Sequence, residues 1–167
     1  MSISTLNGYW KRHTYPIGDI YEGEWNKEGR KHGYGMLVLT DGTKFVGHFI
    51  NGFCDGPGLL KFPDGTSYAG QFAQGKYNGF GTFTRSDGMK YEGEFANGRV
   101  EGLGIITFPD GTNGRPKQEG YFMGTELIDR RNATDTVVKA KHATGEAADV
   151  ARNVVSRTEW GKAHAQR

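Results

Sequence analysis

Few side chains in this sequence could do chemistry, and they are scattered. Five histidines, at positions 13, 32, 48, 142 and 164, give neither a His-Glu-x-x-His helix nor a two-histidine-plus-carboxylate spacing, so no metal centre is expected of them. His32 and His48 fall inside regularly recurring segments, where structural or solvent roles are expected. Cys54, the only cysteine, stands beside Asp55 without an assignable base or oxyanion donor and is expected as a free surface thiol. One cysteine allows no intrachain disulfide and points to a reducing compartment. Gly-x-Gly pairs at 33/35, 56/58, 79/81 and 102/104 match part of a dinucleotide fingerprint. That loop must join a strand to a helix, whereas each pair here opens an apolar run. The Asp-Gly-Thr triplets at 41, 64 and 110 lack the ligand spacing of a calcium loop. No catalytic residue, cofactor or metal is therefore expected.

The elements that would carry any site follow from composition. The 167 residues suit one ordinary domain, and 21 Lys+Arg against 19 Asp+Glu leave a net charge of +2, too little for general capture of nucleic acid or anionic lipid. There are 27 glycines, without the third-residue period of collagen, alongside 10 Phe, 8 Tyr and 3 Trp. A flexible glycine linker would not carry so many rings. No apolar run is long enough to span a bilayer and residues 1–10 lack a signal-peptide pattern, so a cytoplasmic location is expected.

A repeat accounts for the glycine and the rings together. Tyr21-Glu-Gly23-Glu-Trp25 returns as Phe45-Val-Gly47-His-Phe49, Tyr68-Ala-Gly70-Gln-Phe72 and Tyr91-Glu-Gly93-Glu-Phe95. The Gly-x-Gly pairs keep the same period, and a turn register adds Asp41-Gly42, Asp64-Gly65, Asp87-Gly88 and Asp110-Gly111. Rings at i and i+4 around a glycine at i+2 share one face of a strand. An aromatic can lie over a glycine of the neighbouring strand, where no Cβ obstructs it. Asp-Gly turns close one end of each strand pair, and Asn51-Gly52, Gln74-Gly75 and Asn97-Gly98 close the other. The expected fold is mainly β: an elongated single-layer antiparallel sheet of eight to ten strands over 1–122, with repeats near 21–43, 45–66, 68–89 and 91–112 and a partial fifth at 118–124.

Beyond the sheet the composition shifts: residues 117–167 hold only 4 of the 27 glycines. A linker is expected over 123–132, a helix over 133–156 weakened at Gly145, and a frayed tail over 157–167. The alanine and valine on the apolar side of that helix suit docking on the end of the sheet.

The pattern Tyr-x-Gly-x-(Trp/Phe), Gly-x-Gly-x-apolar and Asp-Gly-x-x-(Tyr/Phe) resembles the MORN repeat over 18–108. The continuation through Asn97-Gly-Arg-Val-Glu-Gly-Leu-Gly, Asn113-Gly-Arg-Pro and Arg130-Arg131 resembles the small four-repeat members that partner class III myosins. The resemblance implies a non-catalytic, monomeric adaptor that binds a class III myosin tail and is cytoskeleton-associated in cell projections or the photoreceptor rhabdomere.

On the residues alone, Tyr21, Trp25, Phe45, Phe49, Tyr68, Phe72, Phe83, Tyr91 and Phe95 can simply pack across strands. A lone layer, however, leaves a ring-bearing face partly open as a groove. Strands about 4.8 Å apart, two per repeat, make that groove about 40 Å long, close to the length of a 25-residue helix at about 1.5 Å per residue. The nine aromatics are the expected partner contacts, and Gly23, Gly47, Gly70, Gly93, Gly42, Gly65, Gly88 and Gly111 the structural positions. Glu22, Glu24, Glu92 and Glu94 fall on the reverse face as solvated strand charges or as sites for basic residues. The alternative is a peripheral phospholipid-binding module, for which the near-neutral repeats supply no basic patch.

Overall fold

Two turn chemistries alternate along the two long edges of the sheet. At the asparagine edge both turn residues take positive φ, Asn51 and Gly52 at 47° and 95°, with Gln74-Gly75 and Asn97-Gly98 alike. These are two-residue turns whose twist matches that of the strands they join. At the aspartate edge only the glycine does so. Leu39 O accepts from Gly42 N, Leu39 N donates to Thr43 O, and the Asp41 carboxylate accepts from Thr43 N at 2.7 Å. Asp64 and Asp87 hold Thr66 and Met89 in the same way. The Asp-Gly turn is thus a type I turn with the glycine as a left-handed bulge, one residue longer than a tight hairpin.

The computed structural model describes residues 8–109 and 117–165, so the expected turn at Gly111 lies outside the described residues. It contains β1 (Tyr9–Thr14), β2 (Ile20–Trp25), β3 (Lys31–Val38), β4 (Lys44–Ile50), β5 (Phe53–Lys61) and β6 (Ser67–Ala73). These are followed by β7 (Lys76–Thr84), β8 (Lys90–Ala96), β9 (Arg99–Thr107), β10 (Lys117–Met123) and β11 (Glu126–Asp129), then α1 (Thr134–Arg157) and α2 (Glu159–Ala165). The eleven strands form one unclosed antiparallel sheet in strict chain order, so every neighbour in space is a neighbour in sequence.

The register brings the repeat glycines into one row across the sheet: Gly23, Gly35, Gly47, Gly58, Gly70, Gly81, Gly93, Gly104 and Gly120 are successive cross-strand partners from β2 to β10. The second recurring feature is a bulge between each glycine and its following ring, so that Trp25, Phe49, Phe72 and Phe95 pair with Lys31, Cys54, Tyr77 and Val100. Gly33, Gly56, Gly79 and Gly102 beside the bulges take φ between 94° and 131°. Such bulges bend a strand and raise its twist.

Three expectations about the ends change. The sheet has eleven strands, because β11 occupies part of the expected linker. The segment after 157 is helical: Thr158 Oγ1 donates to Val155 O at 2.7 Å, its oxygen accepts from Gly161 N at 3.0 Å, and Gly161 is buried. Most consequentially, α1 does not cap the end of the sheet but lies across a face of it, touching β3 through β9. Ala140, Ala143, Ala147 and Ala151 form its buried stripe, which lets the helix axis approach the strands closely.

Candidate functional site

The rings occupy the face opposite the helix, and their placement follows from the glycine row. A Cβ on Gly58 would stand 2.6 Å from Phe45 Cε2, and one on Gly104 would stand 2.6 Å from Tyr91 Cζ. The first ring of each repeat, Tyr21, Phe45, Tyr68 and Tyr91, therefore lies over the glycine of the next strand, in space that any other residue would fill. The rings then meet edge to face in one unbroken chain: Trp25, Tyr21, Phe49, Phe45, Phe72, Tyr68, Phe95, Tyr91 and Phe122. Successive centroids are 4.9–5.6 Å apart and interplanar angles are 82–89°. Edge-to-face contacts of this kind add about 0.5–1.5 kcal/mol each beyond burial. Phe122, from the degenerate fifth copy, was not foreseen as a member.

This packing overturns the expectation of an open ring strip. Tyr21, Trp25, Phe45, Phe49, Tyr68, Phe72, Tyr91 and Phe95 are all at most 7% exposed, although among the described residues only the sheet's own strands and turns pack on them. Glycine lets the backbone itself serve as the second layer. The phenol oxygens are placed as well: Tyr21 Oη donates to Glu24 O at 2.8 Å, Tyr68 Oη to Gln71 O at 2.7 Å and Tyr91 Oη to Glu94 O at 3.1 Å. Burial pushes all three phenols well above their ordinary pKa. Of the nine expected contact residues, Phe83 alone is partly exposed. Phe83 packs against the ring chain at a half-buried position, as do Leu37, Cys54, Leu60, Tyr77 and Val100. Tyr77, Cys54 and Val100 share one repeat position, two residues before the positive-φ glycine, and that shared position was the available signal. Cys54 is correspondingly no surface thiol: burial pushes its pKa up to about 12.

The reverse face also differs from expectation. Glu22, Glu24 and Glu92 are buried. Glu24 Oε2 accepts from Tyr34 N at 2.8 Å, Gln71 Oε1 from Phe80 N at 2.9 Å and Glu94 Oε2 from Leu103 N at 2.7 Å, each satisfying an amide freed by the bulge. Glu22 Oε1 accepts from Glu159 N at 2.9 Å at the start of α2, and Arg157 reaches Glu24 at 3.6 Å. These carboxylates anchor bulges and helix. His48 Nδ1 similarly meets Asp55 O at 2.9 Å, and His32 Nδ1 accepts from Asn51 N at 3.1 Å. Among the described residues no three His, Cys, Asp or Glu side chains gather as a metal site, and no helix is long and apolar enough to cross a membrane.

Helix α1 is held against this face by its alanine stripe and by polar contacts, of which Arg157 to Glu24 is one and Thr144 makes others. Thr144 Oγ1 lies 2.6 Å from Thr82 Oγ1 and donates to Ala140 O at 2.8 Å within its own helix. At the β1 end, Met36, Val46, Ala151 and Val154 form a small apolar cluster, and the Arg157 guanidinium stacks over Trp10 at 4.1 Å.

The MORN repeat pattern matches the sequence at residues 21–44, 45–67, 68–90 and 91–113, one ring pair and one glycine pair in each. A MORN repeat-containing protein 4 homolog of Drosophila melanogaster is 46% identical over 45 residues, a stretch that covers 27% of this chain and 21% of that relative. The match thus spans about a fifth of the relative's length. Since the four matched repeats fill more than half of the sequence, the chain belongs to the MORN repeat family.

Proposed function

We propose that this chain is a non-catalytic adaptor whose ring-bearing face captures an extended or helical segment of a partner protein. The observation that carries the proposal is the asymmetry of cover. Helix α1 packs on one face, while among the described residues the apolar cluster on the other is built from the strands and turns of the sheet itself. Leu37, Leu60, Tyr77 and Phe83 present a curved apolar surface on a floor of locked rings. A rigid floor binds without paying an ordering cost, which favours tight capture of a complementary apolar segment. MORN repeats serve commonly as protein- or membrane-binding modules. The finer assignment, to a retinophilin-type protein that carries the tail of a class III myosin in actin-rich protrusions or photoreceptors, rests on the sequence resemblance.

The test is a pull-down and titration of a class III myosin tail against the full chain and a Leu60→Asp/Phe83→Asp variant. Both side chains are partly solvent-facing, so the strand signal in circular dichroism is expected to persist. The affinity is expected to fall at least about 30-fold, the equivalent of one aromatic hot spot. Unchanged affinity in the folded variant would remove the ring face as the docking surface, and absence of binding by the full chain would remove the myosin assignment.

A further inference from the structure

A second concave feature lies on the helix-covered face, where α1 and α2 meet β4 and β5. It is a trough of about 520 Å³ with an apolar bed that includes Val46, Leu59, Ala151 and Val155 and with Trp160 at its rim. The volume falls within the range of small-molecule sites, roughly 300–1,000 Å³. Its second property is charge. Lys44 and Lys61 are direct cross-strand partners and both line the trough. Like charges placed opposite each other in a sheet destabilise it unless something neutralises them.

Nothing among the described residues does. Neither lysine has a carboxylate within 4 Å: Lys44 Nζ lies over the Trp160 ring at 5.3 Å, and Lys61 is exposed. The matching registers elsewhere avoid the problem, with Ile20 opposite Val38, Ser67 opposite Thr84 and Lys90 opposite Thr107. Lys90 is moreover paired with Glu92 at 3.4 Å. The lysine pair therefore occurs only in the repeat that faces the trough. A third cation, Arg152, lines the same wall, engaged with Asp149. Trp160 is 52% exposed at the edge and stacks on His164 with ring centroids 4.1 Å apart.

We infer that this trough binds a single-chain anionic amphiphile, a medium-chain carboxylate, with its tail along Val46, Leu59 and Val155 and its head group between Lys44 and Lys61. The tail removes apolar surface from water, and the head supplies the counter-charge that the lysine pair lacks. A bilayer surface fits less well, because the apolar bed is recessed between sheet and helices instead of protruding. The site stands apart from partner capture on the ring face, so either can fail without the other.

Calorimetric titration of the full chain with dodecanoate below its micellar concentration tests the inference. The expected dissociation constant is about 10 µM, with no comparable binding of dodecyltrimethylammonium, which has the same tail and the opposite charge. A Lys44→Gln/Lys61→Gln variant is expected to bind dodecanoate at least about tenfold more weakly. Ala148→Trp, which fills the trough from the helix side, is expected to abolish binding, and cooperative melting of both variants, with the lysine variant no less stable than the parent chain, is the folding control. No heat with dodecanoate up to about 1 mM would overturn the inference, as would equal affinity for the cationic probe or unchanged affinity in the lysine variant. Lysine-dependent sedimentation with phosphatidylserine vesicles, without dodecanoate binding, would overturn it in favour of a membrane surface.

Discussion

The two faces of this one sheet solve the same burial problem in opposite ways. On the ring face large side chains lie flat over glycine, and the backbone of the next strand supplies the surface against which they are buried. On the other face no such chain of rings forms: Ala69, Thr82, Val46 and Met36 meet the helix, and burial there draws on a separate element, the alanine stripe of α1. A single-layer sheet ordinarily lacks a core. Here one face makes its own and the other borrows a helix. The difference teaches that a glycine row can replace a second layer, provided that rings recur with the same register as the row. It also explains how the aromatic side chains of the ring face are buried although no other element among the described residues covers them.

Substitutions on the two faces sharpen this contrast. The largest effect is expected on the ring face. Phe49 is fully buried and touches both Tyr21 and Phe45, so Phe49→Ala opens a gap in the middle of the ring chain. A loss of about 3–5 kcal/mol in chemical denaturation is expected, and a loss below about 1 kcal/mol would mean that the rings are not a continuous core. On the helix face the characteristic injury is overpacking. Ala147 is fully buried in the stripe of α1, and Ala147→Leu is expected to lift the helix at a cost of about 1–3 kcal/mol while the strand signal survives. Equal costs for the two variants would contradict the division of labour.

The smallest effect isolates one hydrogen bond. Tyr68→Phe keeps the ring and removes the bond to Gln71 O, for an expected loss of about 0.5–1.5 kcal/mol at neutral pH. The same residue carries a pH prediction. Tyr21, Tyr68 and Tyr91 have pKa values raised in the folded chain by burial, so the unfolded chain loses its phenol protons first. The contribution of the three phenols to stability is therefore level below about pH 10, the ordinary tyrosine pKa, and falls as the pH rises above it. In alkaline melts Tyr68→Phe is expected to show a shallower fall than the parent chain. Parallel curves for the two would show that Tyr68 ionises freely in the folded state.

The legible part of the fold was the part written in local spacing. The ring-glycine-ring segments, the two turn edges and the helix over 133–156, observed as Thr134–Arg157, all rest on contacts within one or two strands or one or two helical turns. The placement of rings over glycines was legible for the same reason. Their closure into a sealed chain was not, because it depends on how far each ring reaches across the bulge to the next repeat, as from Tyr21 to Phe49. Glu24 and Glu94 read as solvated strand charges or as sites for basic residues, and Gln71 carried no reading of its own. They hold bulge amides, a role that appears only once Trp25 is seen to pair with Lys31 out of step with Gly23 and Gly35. That all carry a side-chain acceptor at one repeat position was the available clue.

The sequence by itself determined the strand order, the positions of the turns and the alternation of rings with glycine, because period-two geometry and positive-φ turns act over a few residues and recur four times; the Asp-Gly turns, expected as tight hairpins, are one residue longer. Only the tertiary structure decided which face α1 would cover and that β11 and α2 exist. It alone also joined Glu22 to Glu159 across 137 residues. Those outcomes depend on surfaces that come into being after the sheet has formed, when the curvature set by the bulges and the width of an alanine stripe must fit each other. No local spacing encodes that fit.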